Sequence, residues 1–202
     1  TGHVTDYSTG TGISSDVMYR SDDNAETWTK LETTFKGSQG TLSMSADGEV
    51  ILHRPDNSSD VYRSADNGKT WEKVQGLDGQ SQYARIVPDP VNAEKFYLVD
   101  AQGYLKVSTD KGATFANAGT RLQNDAAGEY YNGGGLIRTV PGKEGHLWVP
   151  LDQSQVWLQK GYSENGLAYS EDGGNTWTRL PAVSTAISVG LGKAKEGANY
   201  ET

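Results

Sequence analysis

One phrase recurs four times along this chain of 202 residues, and it limits the possible folds more than any other feature. The phrase is Ser-x-Asp-x-Gly-x-Thr-aromatic, and its copies span residues 19–28, 62–71, 106–115 and 168–177. The first copy departs from the pattern, because Ala25 stands in the glycine position. Such a repeat predicts an array of similar structural units, each burying its apolar face against its neighbours.

Each copy of the phrase predicts a tight β-hairpin turn. A strand ends at the serine, and the aspartate two residues later can accept hydrogen bonds from the N–H groups of the turn. The glycine supplies a left-handed backbone conformation, and the Thr-aromatic pair begins the returning strand. We call the four copies the Asp turns. Their aspartates, Asp23, Asp66, Asp110 and Asp172, are interpreted as folding residues and not as a catalytic or calcium-binding cluster.

The spacing of the Asp turns predicts a β-propeller. Their serines lie 43, 44 and 62 residues apart, and a period of about 40 to 45 residues is typical of a four-stranded blade. The flanking apolar runs predict blade units over about 15–34, 41–75, 82–118, 134–181 and 186–202. The predicted fold is all-β: a single partial propeller with about three four-stranded antiparallel blades and partial blades at both ends. Because an open ring leaves unpaired strand edges, we interpret the chain as part of a larger ring.

Composition and charge limit the classes of partner. The chain has 18 basic and 26 acidic side chains and a net charge of −8. Nucleic acids and anionic membranes are held by clustered Lys and Arg, so neither is a predicted partner. The absence of cysteine excludes disulfides and thiolate catalysis. The histidines His3, His53 and His146 have no metal-binding spacing, and neither a metal nor a cofactor is predicted.

Strand alternation predicts the end of the blades at which a ligand would bind. Consecutive antiparallel strands place every Asp turn at one end. The connections between second and third strands, and those between blades, lie at the opposite end. The third interval between Asp turns exceeds the others by 18 to 19 residues, and the additional length lies in 118–135 and 151–166, both at this opposite end. Long connections on a rigid scaffold are frequent binding sites.

Both long stretches combine aromatic rings with amide and carboxylate groups. Rings stack on the CH faces of sugars, and planar polar groups pair with sugar hydroxyls. The candidate substrate-binding residues are Tyr130, Tyr131, Asn132, Gln155, Trp157 and Tyr162. A single aromatic could equally seal its loop against a neighbouring blade, so it is the cluster that favours binding. Asp152 and Glu164 could in principle form an acid–base pair, but nothing favours them over other carboxylates.

The succession of segments around the Asp turns carries a resemblance to a known family. The turns themselves are similar to the Asp-box repeats of sialidases, sortilin-type receptors and several glycosidases. From about Ser15 onward, the order of segments resembles the second propeller of the xyloglucanases of glycoside hydrolase family 74. The stretches 142–148 and 189–194 are the most distinctive matches.

The resemblance implies a function that this chain would share with other parts of a larger protein. In that family two propellers face each other across a cleft, and xyloglucan, a branched β-1,4-glucan, is cut by inversion with one aspartate from each propeller. The segment that would carry the second-propeller aspartate is not found here, so no catalytic residue is assigned. The chain is expected to contribute the cleft wall and sugar subsites of a secreted, extracellular endo-glucanase, and to be inactive alone.

The expected partners are therefore a polysaccharide, xyloglucan or a related β-glucan, and the remaining blades and first propeller of the parent protein. The alternative is a non-catalytic propeller module that binds glycan or protein. A sialidase would need a converging arginine triad, whereas arginines such as Arg20 and Arg63 stand at repeat positions.

Overall fold

The chain folds into antiparallel hairpins and four-stranded sheets. The computed structural model describes residues 4–6, 11–13, 18–33, 40–55, 58, 60–77, 85–100, 103–118, 122, 137–151, 166–183, 186, 188–192 and 194–198. All regular secondary structure within these ranges is β-strand. The same ranges contain no helix of the length and apolarity that a membrane crossing requires.

Two hairpins open the chain. The first pairs β1 (Val4–Asp6) with β2 (Thr11–Ile13), and the second, which we call the leading hairpin, pairs β3 (Met18–Arg20) with β4 (Thr29–Leu31). The leading hairpin encloses the first Asp turn. It forms a two-stranded sheet within the partial blade predicted over about 15–34.

Three four-stranded sheets follow, and we call them blades 1, 2 and 3. Blade 1 consists of β5 (Thr41–Met44), β6 (Ile51–Arg54), β7 (Tyr62–Ser64) and β8 (Glu72–Lys73). Blade 2 consists of β9 (Val87–Pro88), β10 (Phe96–Val99), β11 (Leu105–Ser108) and β12 (Ala116–Asn117). Blade 3 consists of β13 (Arg138–Thr139), β14 (Leu147–Pro150), β15 (Leu167–Ser170) and β16 (Thr178–Arg179).

Each blade is a meander in which strands neighbour one another in chain order and run antiparallel. In blade 2, for example, Phe96 lies opposite Ser108 and Val99 opposite Leu105. Four strands of this kind, repeated along the chain, form the blades of a propeller. The predicted fold class, an all-β partial propeller, is confirmed.

The core lies between blades and not inside any one of them. Strand β10 is buried at every position, and its side chains alternate between two clusters. Phe96 and Leu98 join Val50 and Leu52 of blade 1 in one cluster. The alternating residues of β10, Tyr97 and Val99, join the blade 3 cluster that contains Leu147, Val149 and Ala168. Each blade is therefore stabilised chiefly by its neighbours.

The blades also meet through their backbones. At the inner edge, β9 contacts the first strands of both adjacent blades, and the Ser43 hydroxyl donates to the Ile86 carbonyl. Further out, the Gln75 N–H donates to the Ala113 carbonyl at 3.0 Å, and the Phe115 N–H donates to the Gln75 carbonyl at 3.0 Å. These contacts place the blades side by side with their first strands adjacent, as in a propeller.

The two ends of the chain differ from the predicted pattern. The β1–β2 hairpin was not expected, because its turn lacks the repeated phrase. Conversely, residues 188–192 form no strand, although they lie in the partial blade predicted over about 186–202. A strand requires a hydrogen-bonded neighbour, and no described strand pairs with this segment.

Candidate functional site

Each of the four Asp turns has the same pattern of internal hydrogen bonds. In blade 1 the carboxylate of Asp66 accepts the Thr70 hydroxyl at 2.6 Å, the Thr70 N–H at 2.9 Å and the Ser64 hydroxyl at 2.8 Å. The Ser64 oxygen in turn accepts the Gly68 N–H at 2.8 Å. The same bonds form in the other three turns. The aspartate thus holds the turn closed from inside.

These hydrogen bonds stabilise the ionised carboxylates. The bond from the Thr70 hydroxyl is the largest cause that lowers the pKa of Asp66 from 3.8 to about 2. The corresponding threonine lowers the pKa of Asp23 and of Asp172 to about 2. A general acid needs a pKa raised towards the working pH, so the shift runs in the wrong direction for acid catalysis. The geometry supports the interpretation of these aspartates as folding residues.

We expect this network to make the fold sensitive to acid. Because the folded pKa of Asp66 lies below its ordinary value of 3.8, its stabilising effect is complete above about pH 5 and is lost progressively as the pH falls through about 2. Thr70→Val removes the donated hydroxyl and should make the decline in melting temperature between pH 4 and pH 2 shallower. The exposed Thr178→Val is the matched control. Equal slopes for Thr70→Val and the unmodified chain would contradict the assignment.

Contacts between blades show that the Asp turns share one end. The Arg63 guanidinium donates to the carbonyl of Lys111, in the next Asp turn, at 2.8 Å. The Lys111 ammonium donates to Asp47 at 2.9 Å and to Glu49 at 2.8 Å, in the connection between β5 and β6. Asp turns and connections between first and second strands therefore lie together, as strand alternation predicts.

The described anchors of the two long stretches lie at the opposite end. The Leu122 N–H donates to the Gly103 carbonyl at 2.8 Å, and the Arg179 guanidinium donates to the Leu122 carbonyl. Gly103 belongs to the connection between the second and third strands of blade 2. In blade 3 the Leu151 N–H donates to the Gly166 carbonyl at 2.7 Å and closes the base of the second stretch. Both stretches thus start from the end predicted for ligand binding.

The predicted substrate-binding residues lie outside the described part of the chain. They are Tyr130, Tyr131 and Asn132 in the first long stretch and Gln155, Trp157 and Tyr162 in the second. Their assignment stays a prediction.

Polar groups that the sequence analysis did not single out occur near the bases of the connections at this end. Lys73 donates to Asp60 at 2.7 Å, and this bond raises the pKa of Lys73 above its usual value. Asp100, which is buried, accepts the Tyr104 N–H at 2.9 Å and lies 4.0 Å from the ammonium of Lys106. These groups hold loop bases in place. The sequence signal for these groups is the position of the two aspartates: Asp60 lies just before β7, and Asp100 directly follows β10.

The described residues contain no group of three or more histidine and carboxylate side chains arranged to hold a metal ion. The chemistry of the described loop bases is that of hydrogen bonding and ion pairing. Such groups suit the positioning of loops and of hydroxyl-bearing ligands.

Comparison with known proteins identifies the family. The model of the Sortilin-Vps10 family, described as "Sortilin, neurotensin receptor 3", matches residues 59–198. The chain belongs to the Sortilin-Vps10 family. The matched residues contain three of the four Asp turns.

Relatives of this Sortilin-Vps10 chain include enzymes of glycoside hydrolase family 74. A xyloglucanase from a Paenibacillus species is 31% identical over 181 residues, which are 89% of this chain and 16% of the relative. Xyloglucanase Xgh74A of Acetivibrio thermocellus is 30% identical over 161 residues, 80% of this chain and 16% of the relative. The chain therefore spans about one sixth of the length of these relatives.

Solved structures agree with the sequence matches. The family 74 enzyme of Niastella koreensis superimposes with a TM-score of 0.75 at 35% identity, covering 92% of this chain and 24% of that one. The family 74 xyloglucanase of Xanthomonas campestris gives a TM-score of 0.66 at 26% identity, with coverages of 90% and 24%. The resemblance to family 74 predicted from the sequence is confirmed.

Proposed function

We propose that this chain is part of a secreted glycoside hydrolase that cleaves xyloglucan or a related β-1,4-glucan. In this proposal it contributes the wall of the substrate cleft and several sugar subsites, and the catalytic aspartates come from other parts of the protein. The observation that carries the proposal is the match to the Niastella koreensis family 74 enzyme over 92% of the chain. The shared end of the two long stretches supports the location of the subsites.

The mechanism proposed for the parent is inverting hydrolysis. A general acid protonates the leaving oxygen while a general base activates water on the other face of the sugar, with the two carboxyl groups roughly 6.5 to 9.5 Å apart. The repeated aspartates of the Asp turns do not suit either task, because each accepts hydrogen bonds from Thr and Ser donors of its own turn. These turns also lie at the end away from the long stretches. The task of this chain is to position the loops that bind the sugar. Its buried interblade core gives the sugar-binding loops a rigid base.

We expect the aromatic residues of the long stretches to bind the polysaccharide. Replacing Tyr131 and Trp157 together by alanine in the complete parent enzyme removes two stacking surfaces, each worth about 0.5–1.5 kcal/mol. The KM for xyloglucan should rise about tenfold, as measured from initial rates.

Trp28→Ala is the matched control for this pair, because Trp28 is 59% exposed and is the last residue of the first Asp turn, at the other end of the blades. It should leave the KM unchanged. A KM of the double variant equal to that of the parent would reject the subsite assignment. The isolated chain, which lacks the catalytic aspartates in this proposal, should show no turnover of xyloglucan.

A non-catalytic module that binds glycan or protein is the second candidate, and the Sortilin-Vps10 match favours it because that family model is described by a receptor. The sequence upstream in the parent gene separates the two candidates. Another propeller together with the second-propeller aspartate segment would support the hydrolase. A receptor or adhesin architecture would support the binding module.

A further inference from the structure

Two of the junctions between repeats are closed by an arginine. Arg20, in the leading hairpin, donates to the carbonyl of Asn67 in the Asp turn of blade 1 at 2.9 Å. Arg63 of blade 1 donates in the same way to the carbonyl of Lys111 in the Asp turn of blade 2 at 2.8 Å. The Arg63 side chain is only 16% exposed and also donates to Glu72 at 2.6 Å. At both junctions a guanidinium therefore bridges two adjacent repeats.

The junction between blades 2 and 3 lacks this arginine. Arg20 and Arg63 each directly precede the serine of an Asp turn, and the residue in that position of blade 2 is Val107. The position of Glu72, directly after the aromatic residue, is taken by Ala116. The turn carbonyl equivalent to that of Lys111 belongs to Gly173, and no described residue donates a hydrogen bond to it.

An open groove of about 310 Å³ occupies this junction. We call it the Val107 groove. Its lining includes Val107, Ala116, Asn117, Gly173 and Asn175. Val107, Ala116 and Ala118 give its blade 2 side an apolar part, beside the polar Thr109 and Asn117. Residues of the Asp turn of blade 3 line the other side. Its volume is at the lower limit of small-molecule sites, which suits a single side chain.

The charges around the Val107 groove favour a cation. Lys95 lines it too, but its ammonium lies 2.8 Å from the Glu144 carboxylate, so this pair adds no net charge. Asp172, which also lines the groove, is ionised at neutral pH, and the Thr176 hydroxyl bond lowers its pKa further, to about 2. One uncompensated negative charge therefore lies close to the Gly173 carbonyl.

We propose that the Val107 groove binds the guanidinium of an arginine side chain supplied by a partner protein. The planar group would donate to the Gly173 carbonyl, as Arg20 and Arg63 do to the equivalent carbonyls, while its aliphatic stem lies along Val107 and Ala116. The chain itself thus supplies the ligand class, because it places a guanidinium at both equivalent junctions. The groove lies at the end of the Asp turns, opposite the proposed sugar subsites, and is independent of the proposed hydrolase function.

The test uses N-acetylarginine amide, which carries the side chain with one positive charge and no carboxylate. Titration into the 202-residue chain should shift the backbone amide NMR signals of Gly173 and Gly174 in a saturable way. N-acetyllysine amide should bind at least about fivefold more weakly, because an ammonium lacks the planar set of donors. Val107→Arg should fill the groove from within and abolish the shifts, and Val107→Ile is the matched control that should retain them.

A reciprocal variant keeps the test independent of how Val107→Arg folds. The double replacement Arg63→Val and Glu72→Ala copies the Val107 groove at the junction of blades 1 and 2. It should create a second saturable site, reported by the amide signals of Lys111 and Gly112. Equal binding of the arginine and lysine probes, or shifts at Gly173 that persist unchanged in Val107→Arg, would overturn the proposal. So would the absence of a new site in the double variant.

Discussion

Replacing Gly76 by alanine is expected to destabilise the chain by about 2–5 kcal/mol. Gly76 has a φ of +76°, a left-handed conformation that costs an L-residue about 1–2 kcal/mol. An added Cβ would also overlap the backbone carbonyl of Phe115 in blade 2. Neither backbone can move freely, because the N–H and the carbonyl of the preceding residue, Gln75, are both hydrogen-bonded to the backbone of blade 2. Overpacking of this kind costs a further 1–3 kcal/mol or so.

Gly142→Ala separates the two contributions. Gly142 has nearly the same φ, +74°, but no other atom lies within 4 Å of an added Cβ. The free energy of unfolding of Gly142→Ala should therefore fall only by the cost of the left-handed backbone, about 1–2 kcal/mol. Urea denaturation of both variants gives the comparison. If Gly76→Ala costs no more than Gly142→Ala, the close approach of blades 1 and 2 at Gly76 is not as the structure has it.

Ala25 offers the opposite change at an Asp turn. It is the departure from the repeat that the sequence shows, and its φ of +70° puts alanine in the conformation that the other turns reserve for glycine. Ala25→Gly should stabilise the chain by about 1 kcal/mol, or roughly 2–4 °C in melting temperature for a domain of this size. A lower melting temperature for Ala25→Gly would show that the alanine methyl group makes contacts that outweigh the strain.

The Asp turns could be predicted from sequence because their chemistry is local. The aspartate, its threonine donor and the glycine lie within five residues, so a single copy of the phrase specifies the turn. The strand positions followed from the flanking runs for the same reason. In blade 3, for example, β15 (Leu167–Ser170) ends at the serine of the Asp turn, as the repeated phrase predicts.

Contacts between blades could not be read from a local pattern. The requirement for glycine at position 76 comes from Phe115, almost 40 residues away. Likewise, the significance of the Val107 groove depends on the contacts that Arg20 and Arg63 make with the next repeat. Both arginines stand at repeat positions in the sequence, but their acceptors are backbone carbonyls, which leave no signal in a side-chain pattern.

The candidate sugar site shows the same division. Strand alternation predicted the end from which both long stretches start, and the anchors at Leu122 and Leu151 lie there. The conformation of the stretches themselves depends on what they contact, and no repeat constrains it. Whether these aromatic residues contact a sugar is therefore tested by the joint replacement of Tyr131 and Trp157.

A buried carboxylate between blades 2 and 3 gives the second large effect. Asp89 is completely buried. Each of its two carboxylate oxygens accepts two hydrogen bonds. One oxygen accepts the N–H groups of Val91 and Asn92, each at 2.9 Å. The other accepts the Tyr97 hydroxyl at 2.9 Å and the Gly145 N–H of blade 3 at 2.8 Å. The side chain therefore joins its own turn to the next blade.

Asp89→Asn should cost about 3–5 kcal/mol although it preserves the shape of the side chain. In either orientation of the amide, its NH₂ group would face two donors, which leaves buried N–H or O–H groups without an acceptor. Breaking a buried charged network by changing one member typically has an effect of this size. The melting temperature should fall by about 10 °C, as followed by circular dichroism.

Tyr97→Phe is the control that removes a single donor. Burial is the main cause that raises the pKa of the Tyr97 hydroxyl, so the group stays protonated and donates to Asp89 throughout the working pH range. Its loss should cost only about 1 kcal/mol, because the other three bonds to Asp89 remain and the ring still fills its site in the core. If Asp89→Asn melted as high as Tyr97→Phe, the carboxylate would not be the group that fastens blade 2 to blade 3. The backbone contacts and the apolar cluster around Tyr97 would then have to account for that junction alone.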